Sequence, residues 1–278
     1  MDVTKPSDIT ELLNTYGIKI RKYWGQNFLL NPAAVERIVA TAELTGAETV
    51  LEVGPGLGVM TASLLDQAGR VVAIEIDPLL CRYLRHRFTQ PSFNLVQGDA
   101  LAQDYKTLVP EPYVVVANLP YYITSPFLTK LLEGGHPPQV AVILIQLEVA
   151  KRLTAAPGTS DYGSLSVLVQ YHCQTELKDK LGPGNFFPPP KVDSAVVKLT
   201  WRPPPKTPND EALMFGIVRR AFSQRRKMLK GLLARDLGLD PGTVAEAFAR
   251  MGLDAKARGE TLSVLDFITL SDLLGGLS

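Results

Sequence analysis

The spacing of apolar residues changes along this chain, and the change divides it into parts. Ile9 to Tyr16 has helical spacing with Ser7 or Asp8 as a cap, so residues 1–22 read as a helix and a lead-in arm. Asn31-Pro32 opens a second helix, with Val35, Ile38, Val39 and Ala42 on one face. From Thr49 onward, short apolar runs alternate with helical stretches. Runs at Val50–Val53, Arg70–Ile76, Phe93–Val96, Tyr113–Ala117 and Val140–Leu147 predict strands. Between them, helices are predicted through Met60, Leu64 and Leu65, from Asp77-Pro78 to about Phe88, and over Phe127–Leu132. This alternation implies an α/β fold with a doubly wound, mostly parallel sheet.

The pattern then changes. A helix at Leu165–Tyr171 leads to strand patterns at Cys173–Lys178 and Ser194–Trp201, which would extend the sheet edge. Arg202-Pro203-Pro204-Pro205 reads as a stiff linker. Beyond it only helical patterns occur, over 211–235, 242–251 and 263–274. The expected division is a domain of residues 1–204, with an arm at 1–30, and an all-helical domain at 205–278.

Composition adds little to this until charge is mapped along the chain. The 278 residues are 46% hydrophobic and 21% charged, an ordinary globular mixture, with a net charge of +1. Yet nine Lys and Arg fall between residues 201 and 235, against Asp210 and Glu211. On a continuous helix over 211–235, Met214, Val218, Ala221, Met228 and Leu232 form an apolar seam. Arg219, Arg226 and Lys230 form a separate stripe, with Arg220, Arg225 and Lys227 in the same block. Such a face suits a polyanion, although a solvated helix face has the same pattern. Cys81, Cys173 and the three histidines lack metal-ligand spacing, so no metal is expected and the thiols are read as reduced. No signal pattern opens the chain, and the longest apolar run, Val140–Ile145, is too short to span a membrane. A cytoplasmic protein without membrane contact is the expectation.

Candidate chemistry gathers at the ends of the predicted strands. Asn118-Leu119-Pro120-Tyr121 leaves one strand with a carboxamide, a rigid proline and an aromatic ring together. Open α/β sheets bind ligands at such edges. The grouping suits methylation of an exocyclic amine on a nucleobase. The lone pair of that nitrogen is delocalised into the ring. A carboxamide oxygen and a main-chain carbonyl can accept its two N–H bonds and favour a more tetrahedral, nucleophilic nitrogen, while the aromatic face stacks on the base. Gly54-Pro55-Gly56-Leu57-Gly58 joins a strand to a helix, where backbone N–H groups can meet a ligand. Its third glycine comes one residue too early for a dinucleotide fingerprint, and Glu52 precedes it. Glu75, followed by Ile76, ends the next strand and could accept both hydroxyls of a ribose. Asp99 and Ala100 end the one after and could meet an adenine. Gly25-Gln26-Asn27-Phe28-Leu29 could cover the other end of a cofactor, and Phe186-Phe187-Pro188-Pro189-Pro190 could present a ring to a base.

Taken with Lys191-Val192-Asp193-Ser194-Ala195-Val196 and Ala221-Phe222-Ser223-Gln224-Arg225-Arg226-Lys227-Met228-Leu229, these segments resemble the ribosomal RNA adenine N6,N6-dimethyltransferases. The likeness is strongest to the bacterial small-subunit branch and runs from about residue 20 to 270 in order. The resemblance implies S-adenosylmethionine as methyl donor. It places Gln26, Asn27, Leu29, Gly54, Gly56, Glu75, Ile76, Asp99, Ala100 and Asn118 at the cofactor. It also assigns Asn118 and the Leu119 carbonyl to the target amine, with Pro120 between, and Tyr121 and Phe186 to the target adenine, Phe186 being chosen over Phe187 by its distance from the first proline. Met60 departs from the family's smaller or branched residue and is read as packing. The implied substrate is two adjacent adenosines in the 3′-terminal hairpin loop of 16S ribosomal RNA on immature 30S subunits. The expected protein is a monomer acting in rRNA processing and ribosome biogenesis, with Arg219, Arg220, Arg225, Arg226, Lys227 and Lys230 on RNA. The competing readings are a large-subunit rRNA dimethylase, a DNA adenine methyltransferase, a non-catalytic assembly factor and an NAD oxidoreductase.

Overall fold

The structure is a computed structural model that describes residues 3–21, 24–236 and 238–276. Met1, Asp2, Lys22 and Tyr23 of the expected arm lie outside the described residues. The chain forms two compact units, residues 1–150 with 175–201, and residues 151–174 with 202–278. The helical unit therefore takes in a segment from the middle of the chain, whereas the sequence pattern places one boundary at 204/205.

In chain order the first unit begins with α1 (Pro6–Tyr16), β1 (Phe28–Leu29) and α2 (Pro32–Thr41). There follow β2 (Thr49–Val53), α3 (Val59–Leu65), β3 (Arg70–Glu75), α4 (Pro78–Arg87) and β4 (Phe93–Gln97). Next come α5 (Tyr105–Leu108), β5 (Tyr113–Asn118), α6 (Thr124–Glu133), β6 (Val140–Gln146) and α7 (Leu147–Leu153). Further along lie α8 (Ser164–His172), β7 (Cys173–Leu181), β8 (Phe186–Phe187) and β9 (Ser194–Trp201). The tail carries α9 (Glu211–Ser223), α10 (Leu229–Asp236), α11 (Pro241–Arg250) and α12 (Val264–Gly276).

Seven strands make one sheet in the order β4-β3-β2-β5-β6-β9-β7. The pairs among β4, β3, β2, β5 and β6 are parallel, and β9 runs antiparallel to β6. The order reverses beside β2, so the carboxyl ends of β2 and β5 open a crevice there. β2 and β5 pair Val53 with Ala117, which brings Gly54 and Asn118 to the same level. The central strands β2, β3, β5 and β6 are buried on both faces, as their apolar runs require. Val50, Val71, Val114, Val116, Val142 and Val196 pack under α2 and α3 in one core. Asn31 and Asp77 cap α2 and α4, each accepting backbone N–H bonds ahead of a proline in the first turn.

Three local expectations change. α1 starts at Pro6 behind Lys5, which gives no side-chain cap, and Ser7 and Asp8 lie inside its first turn. Leu147 opens α7 rather than ending the strand, although its N–H still donates to the Asp193 carbonyl at 2.9 Å, in register with the pairing of β6 and β9. The basic helix is not continuous: α9 stops at Ser223 and α10 starts at Leu229. Tertiary hydrogen bonds break it. The Leu229 N–H donates to the Ala257 carbonyl at 2.9 Å, and Lys227 N–H turns back to Gln224. Met228, expected in an apolar seam, is 53% exposed in that break. Met214, Val218, Ala221 and Leu232 are buried as the seam requires.

Candidate active site

The glycine loop is shaped by backbone geometry before chemistry. Gly54, Gly56 and Gly58 have φ of 70°, 58° and 72°, the left-handed region that favours glycine. A Cβ on Gly56 would meet the Phe28 ring at 3.0 Å, and one on Gly58 would meet the Phe88 ring at 2.5 Å. Phe28 thus closes over the loop from β1, and the segment from Gly25 to Leu29 becomes one wall of a cleft.

That cleft is open at its mouth. It lies wholly in the first unit. Gln26, Asn27, Leu29, Gly54, Gly56, Glu75, Ile76, Asp99, Ala100, Asn118, Leu119, Pro120 and Tyr121 all line it. Thirteen residues chosen from five separate stretches of sequence therefore meet in one place. Met60, read as packing, also lines it and is 5% exposed in the core.

Each wall has a distinct hydrogen-bond state. The Glu75 carboxylate accepts from Asp77 N–H at 2.9 Å and Gly56 N–H at 3.3 Å. Burial pushes its pKa up to about 7, opposed by those two N–H bonds. Asp99 Oδ1 accepts from Leu101 N–H at 2.8 Å, and Asp99 is exposed. The Ala100 carbonyl is held by the Tyr105 hydroxyl at 2.8 Å, and the Leu101 carbonyl by Lys130 Nζ at 2.9 Å. Glu52 sits deeper. It is fully buried, accepts from the Thr61 hydroxyl at 2.6 Å through Oε2, and lacks a partner at Oε1 among the described residues. Burial pushes its pKa up to about 8.

The far wall carries the amine-binding candidates. Asn118 Nδ2 donates to the Asn27 carbonyl at 3.1 Å, and Asn27 Nδ2 donates to the Gly25 carbonyl at 3.0 Å. A carbonyl can only accept, so the nitrogen of the Asn118 amide must face Asn27. Its Oδ1 is left without a hydrogen-bond partner among the described residues. Leu119 N–H is fixed to the Leu144 carbonyl at 3.1 Å. The half-buried Tyr121 is pinned through its hydroxyl to Ser194 Oγ at 2.9 Å, and Ser194 is 1% exposed at the start of β9. Ser194 was visible in the sequence only as part of a segment; nothing in its spacing marked it as the partner of Tyr121.

Phe186 is placed elsewhere. β1 and β8 pair Phe28 with Phe187 and Leu29 with Phe186. Successive residues of a strand face opposite sides. Leu29 and Phe186 therefore enter the core beneath α2, while Phe28 and Phe187 join a second apolar cluster with Leu57 and Leu84. Phe186 is 3% exposed, and neither it nor Phe187 lines the cleft. Two large side chains at the cleft escaped sequence reasoning: Trp24, over which the Arg21 guanidinium lies at 4.3 Å, and Tyr122, 53% exposed.

In the helical unit the expected cations separate into two groups. Arg225 donates to the carbonyls of Ser160 at 2.9 Å and Tyr162 at 3.0 Å, and pairs with Glu260. Arg220 forms a two-pronged pair with Asp236. Both guanidinium groups are thereby committed within the unit. Arg219, Arg226 and Lys227 are exposed and Lys230 is half-buried, and none of the four makes an ion pair among the described residues. No group of three or more His, Cys, Asp or Glu is placed to hold a metal among the described residues. Among them, no helix is long and apolar enough to cross a membrane.

Known proteins resemble this chain in sequence and fold. The family described as ribosomal RNA adenine dimethylase matches residues 17–275. A "Ribosomal RNA small subunit methyltransferase A" from Pelotomaculum thermopropionicum is 42% identical over 97% of this chain and 96% of its own length. One of the same name from Clostridium perfringens is 41% identical over 99% of this chain and 98% of its own. Among solved structures, a dimethyladenosine transferase from Plasmodium falciparum superposes with a TM-score of 0.77 at 26% identity, covering 87% of this chain and 95% of that one. The 23S rRNA methyltransferase ErmE superposes at 0.70 with 30% identity, covering 90% of this chain and 100% of that one.

The cleft also fits an S-adenosylmethionine cofactor on its own terms. It offers Gly54 and Gly56 of the left-handed glycine loop along its wall, a carboxylate at the tip of β3, and an exposed carboxylate just beyond β4. Beside them is a buried carboxyl oxygen with no partner, suited to a cationic ligand.

Proposed function

Since the chain belongs to the ribosomal RNA adenine dimethylase family, we propose that its cleft dimethylates the N6 amines of two adjacent adenosines in the 3′-terminal hairpin loop of small-subunit ribosomal RNA. One observation carries the chemistry: the Asn118 amide is locked with its nitrogen toward Asn27, so its free oxygen is presented in the cleft that Glu75 and the glycine loop line.

Held by these residues, S-adenosylmethionine would supply a methyl group carried on a sulfonium; the target amine would take the methyl and lose one proton, leaving the thioether product. The protein's work is positioning and charge stabilisation. Asn118 Oδ1 and the Leu119 carbonyl accept the two N–H bonds of the target amine and stabilise positive charge developing on it. The Tyr121 ring, held by Ser194, stacks on the adenine. Glu75 accepts the ribose hydroxyls, while Asp99 and the Ala100 N–H receive the cofactor's adenine. Asn27, Gln26 and Leu29 close the methionine end. Phe186 acts from behind, packing β1 into the core so that Phe28 and Asn27 stay in place, and Tyr121 alone serves the base.

RNA contact falls to Arg219, Arg226, Lys227 and Lys230, with residues 205–278 as the core of the RNA-binding region. Arg225 and Arg220 shape the loop that carries two of these cations. A loop base is already partly unstacked, so presenting it costs less than flipping one from a duplex. The protein would act as a monomer in the cytoplasm on immature small subunits.

The second reading, a large-subunit dimethylase, draws on the 30% identity with ErmE. The 41–42% identity with the small-subunit relatives favours the first. Separate incubation of unmodified small and large subunits with this protein and labelled cofactor tests both. Mass spectrometry of the digested RNA should find label in N6,N6-dimethyladenosine from the small subunit alone. Label confined to the large subunit would reverse the assignment.

A further inference from the structure

Glu52 is the one buried acid in the cleft whose geometry has no structural explanation. It is the penultimate residue of β2, has no exposed surface, and one oxygen is satisfied by Thr61 of α3. The other oxygen has no hydrogen-bond partner among the described residues. Among the described residues, no cation is paired with it. The titratable group that acts on it is Glu75 of β3, a second acid, and its in-register neighbour on β5 is the apolar Val116. A buried carboxyl of this kind costs more to ionise than a neutral isostere costs to bury. Near neutral pH the ligand-free protein therefore holds it largely protonated, in keeping with a pKa of about 8.

The cleft meets a changing charge at each turnover. S-adenosylmethionine and S-adenosylhomocysteine share their ammonium, carboxylate, ribose and adenine, and differ by one methyl group and one positive charge. Glu75 has both oxygens engaged by backbone N–H groups and would face the ribose, common to both ligands. Glu52 has an unengaged oxygen and a charge that can change.

We propose that Glu52 senses the charge of the bound cofactor and selects the sulfonium donor over the thioether product. When the donor binds, Glu52 ionises, releases its proton to solvent and gains a Coulombic partner. Once the methyl has left, the sulfonium charge is gone and the carboxylate takes a proton back. Product affinity is thus not raised by the interaction that favours the donor. Two dimethylated adenosines need four donor molecules, so product exchange matters on every substrate. A Coulombic partner that only the donor provides, less the cost of ionising Glu52, gives roughly tenfold discrimination.

This inference rests on the proposed cofactor, and the experiment separates the two. Calorimetric titration of the full-length protein at pH 7.5, in buffers of different ionisation enthalpy, counts protons released by each ligand. S-adenosylmethionine should release up to one more proton than S-adenosylhomocysteine. In Glu52→Gln that difference should vanish, and the affinity ratio should move roughly tenfold toward the thioether. Glu75→Gln should weaken both ligands alike. Equal proton counts in the wild-type protein overturn the proposal whether or not the variant folds, as does a Glu52→Gln protein whose two affinities fall equally. Failure of the wild-type protein to bind either ligand would instead reject the cofactor reading.

Discussion

The hydroxyl bridge between Tyr121 and Ser194 can be broken one atom at a time. Tyr121→Phe removes the 2.9 Å hydrogen bond but keeps the ring. A neutral bond contributes about 1 kcal/mol, and leaving a buried hydroxyl unsatisfied costs about 1–2 kcal/mol more. Ser194 is 1% exposed, so Tyr121→Phe should lower stability by about 2–3 kcal/mol. Ser194→Ala leaves only the half-buried Tyr121 hydroxyl, which water can reach, and should cost about 1 kcal/mol. The double variant should cost less than the sum, with a coupling of about 1 kcal/mol. Methyl transfer should follow the same pattern. A loosened ring in Tyr121→Phe should slow single-turnover transfer at saturating cofactor by roughly five- to tenfold, corresponding to about 1 kcal/mol of lost positioning. Tyr121→Ala also loses base stacking of about 1–3 kcal/mol and should fall further. Urea unfolding and quenched-flow methylation of the four proteins give both cycles. Strict additivity, or a Tyr121→Phe rate equal to wild type, would refute the idea that Ser194 fixes the ring for catalysis.

Three other outcomes are expected. Asn118→Ala removes the acceptor aimed at the developing charge, so single-turnover transfer should drop about 10²–10³-fold while calorimetric affinity for S-adenosylhomocysteine changes far less. Charge reversal at Arg226 and Lys227 should weaken RNA binding and flatten the slope of log affinity against log salt by roughly 0.7–0.9 per lost phosphate contact; an unchanged slope would take them out of the RNA footprint. In the ligand-free protein, the buried Glu52 and Glu75 hold protons more tightly than the unfolded chain does, with pKa values near 8 and 7 against 4.5. Their contribution to stability is therefore full below about pH 4.5 and lost as pH rises through 7 and 8, and urea unfolding should show Glu52→Gln flattening this decline by on the order of a few kcal/mol.

The cleft was largely legible because the parallel sheet turns sequence order into place. Residues that end strands, such as Glu75, Asp99 and Asn118, must emerge at one edge once alternation fixes the topology. The same logic failed where tertiary contacts outweigh local pattern. The Phe186 ring was assigned from its distance to a proline, but two-residue pairing of β8 with β1 decides which side it faces, and that pairing leaves no periodic signal. The basic helix was read from charge spacing on an unbroken 3.6 period. The Ala257 carbonyl and the carbonyls that Arg225 holds divide it, and those partners lie 28 to 65 residues away in sequence. Ser194 and Trp24 were missed for a related reason: a positioning hydroxyl and a wall residue become apparent only through what they touch.

A bisubstrate ligand gives the most direct reading of the shared cleft. Joining the N6 of adenosine by a short linker to the methyl-bearing end of the cofactor skeleton makes one molecule of two. If donor and target amine meet between Glu75 and Asn118, calorimetry should find it bound at least about 10²-fold more tightly than S-adenosylhomocysteine. Most of that gain should disappear in Asn118→Ala. An affinity no better than that of S-adenosylhomocysteine, unchanged in the variant, would contradict the account.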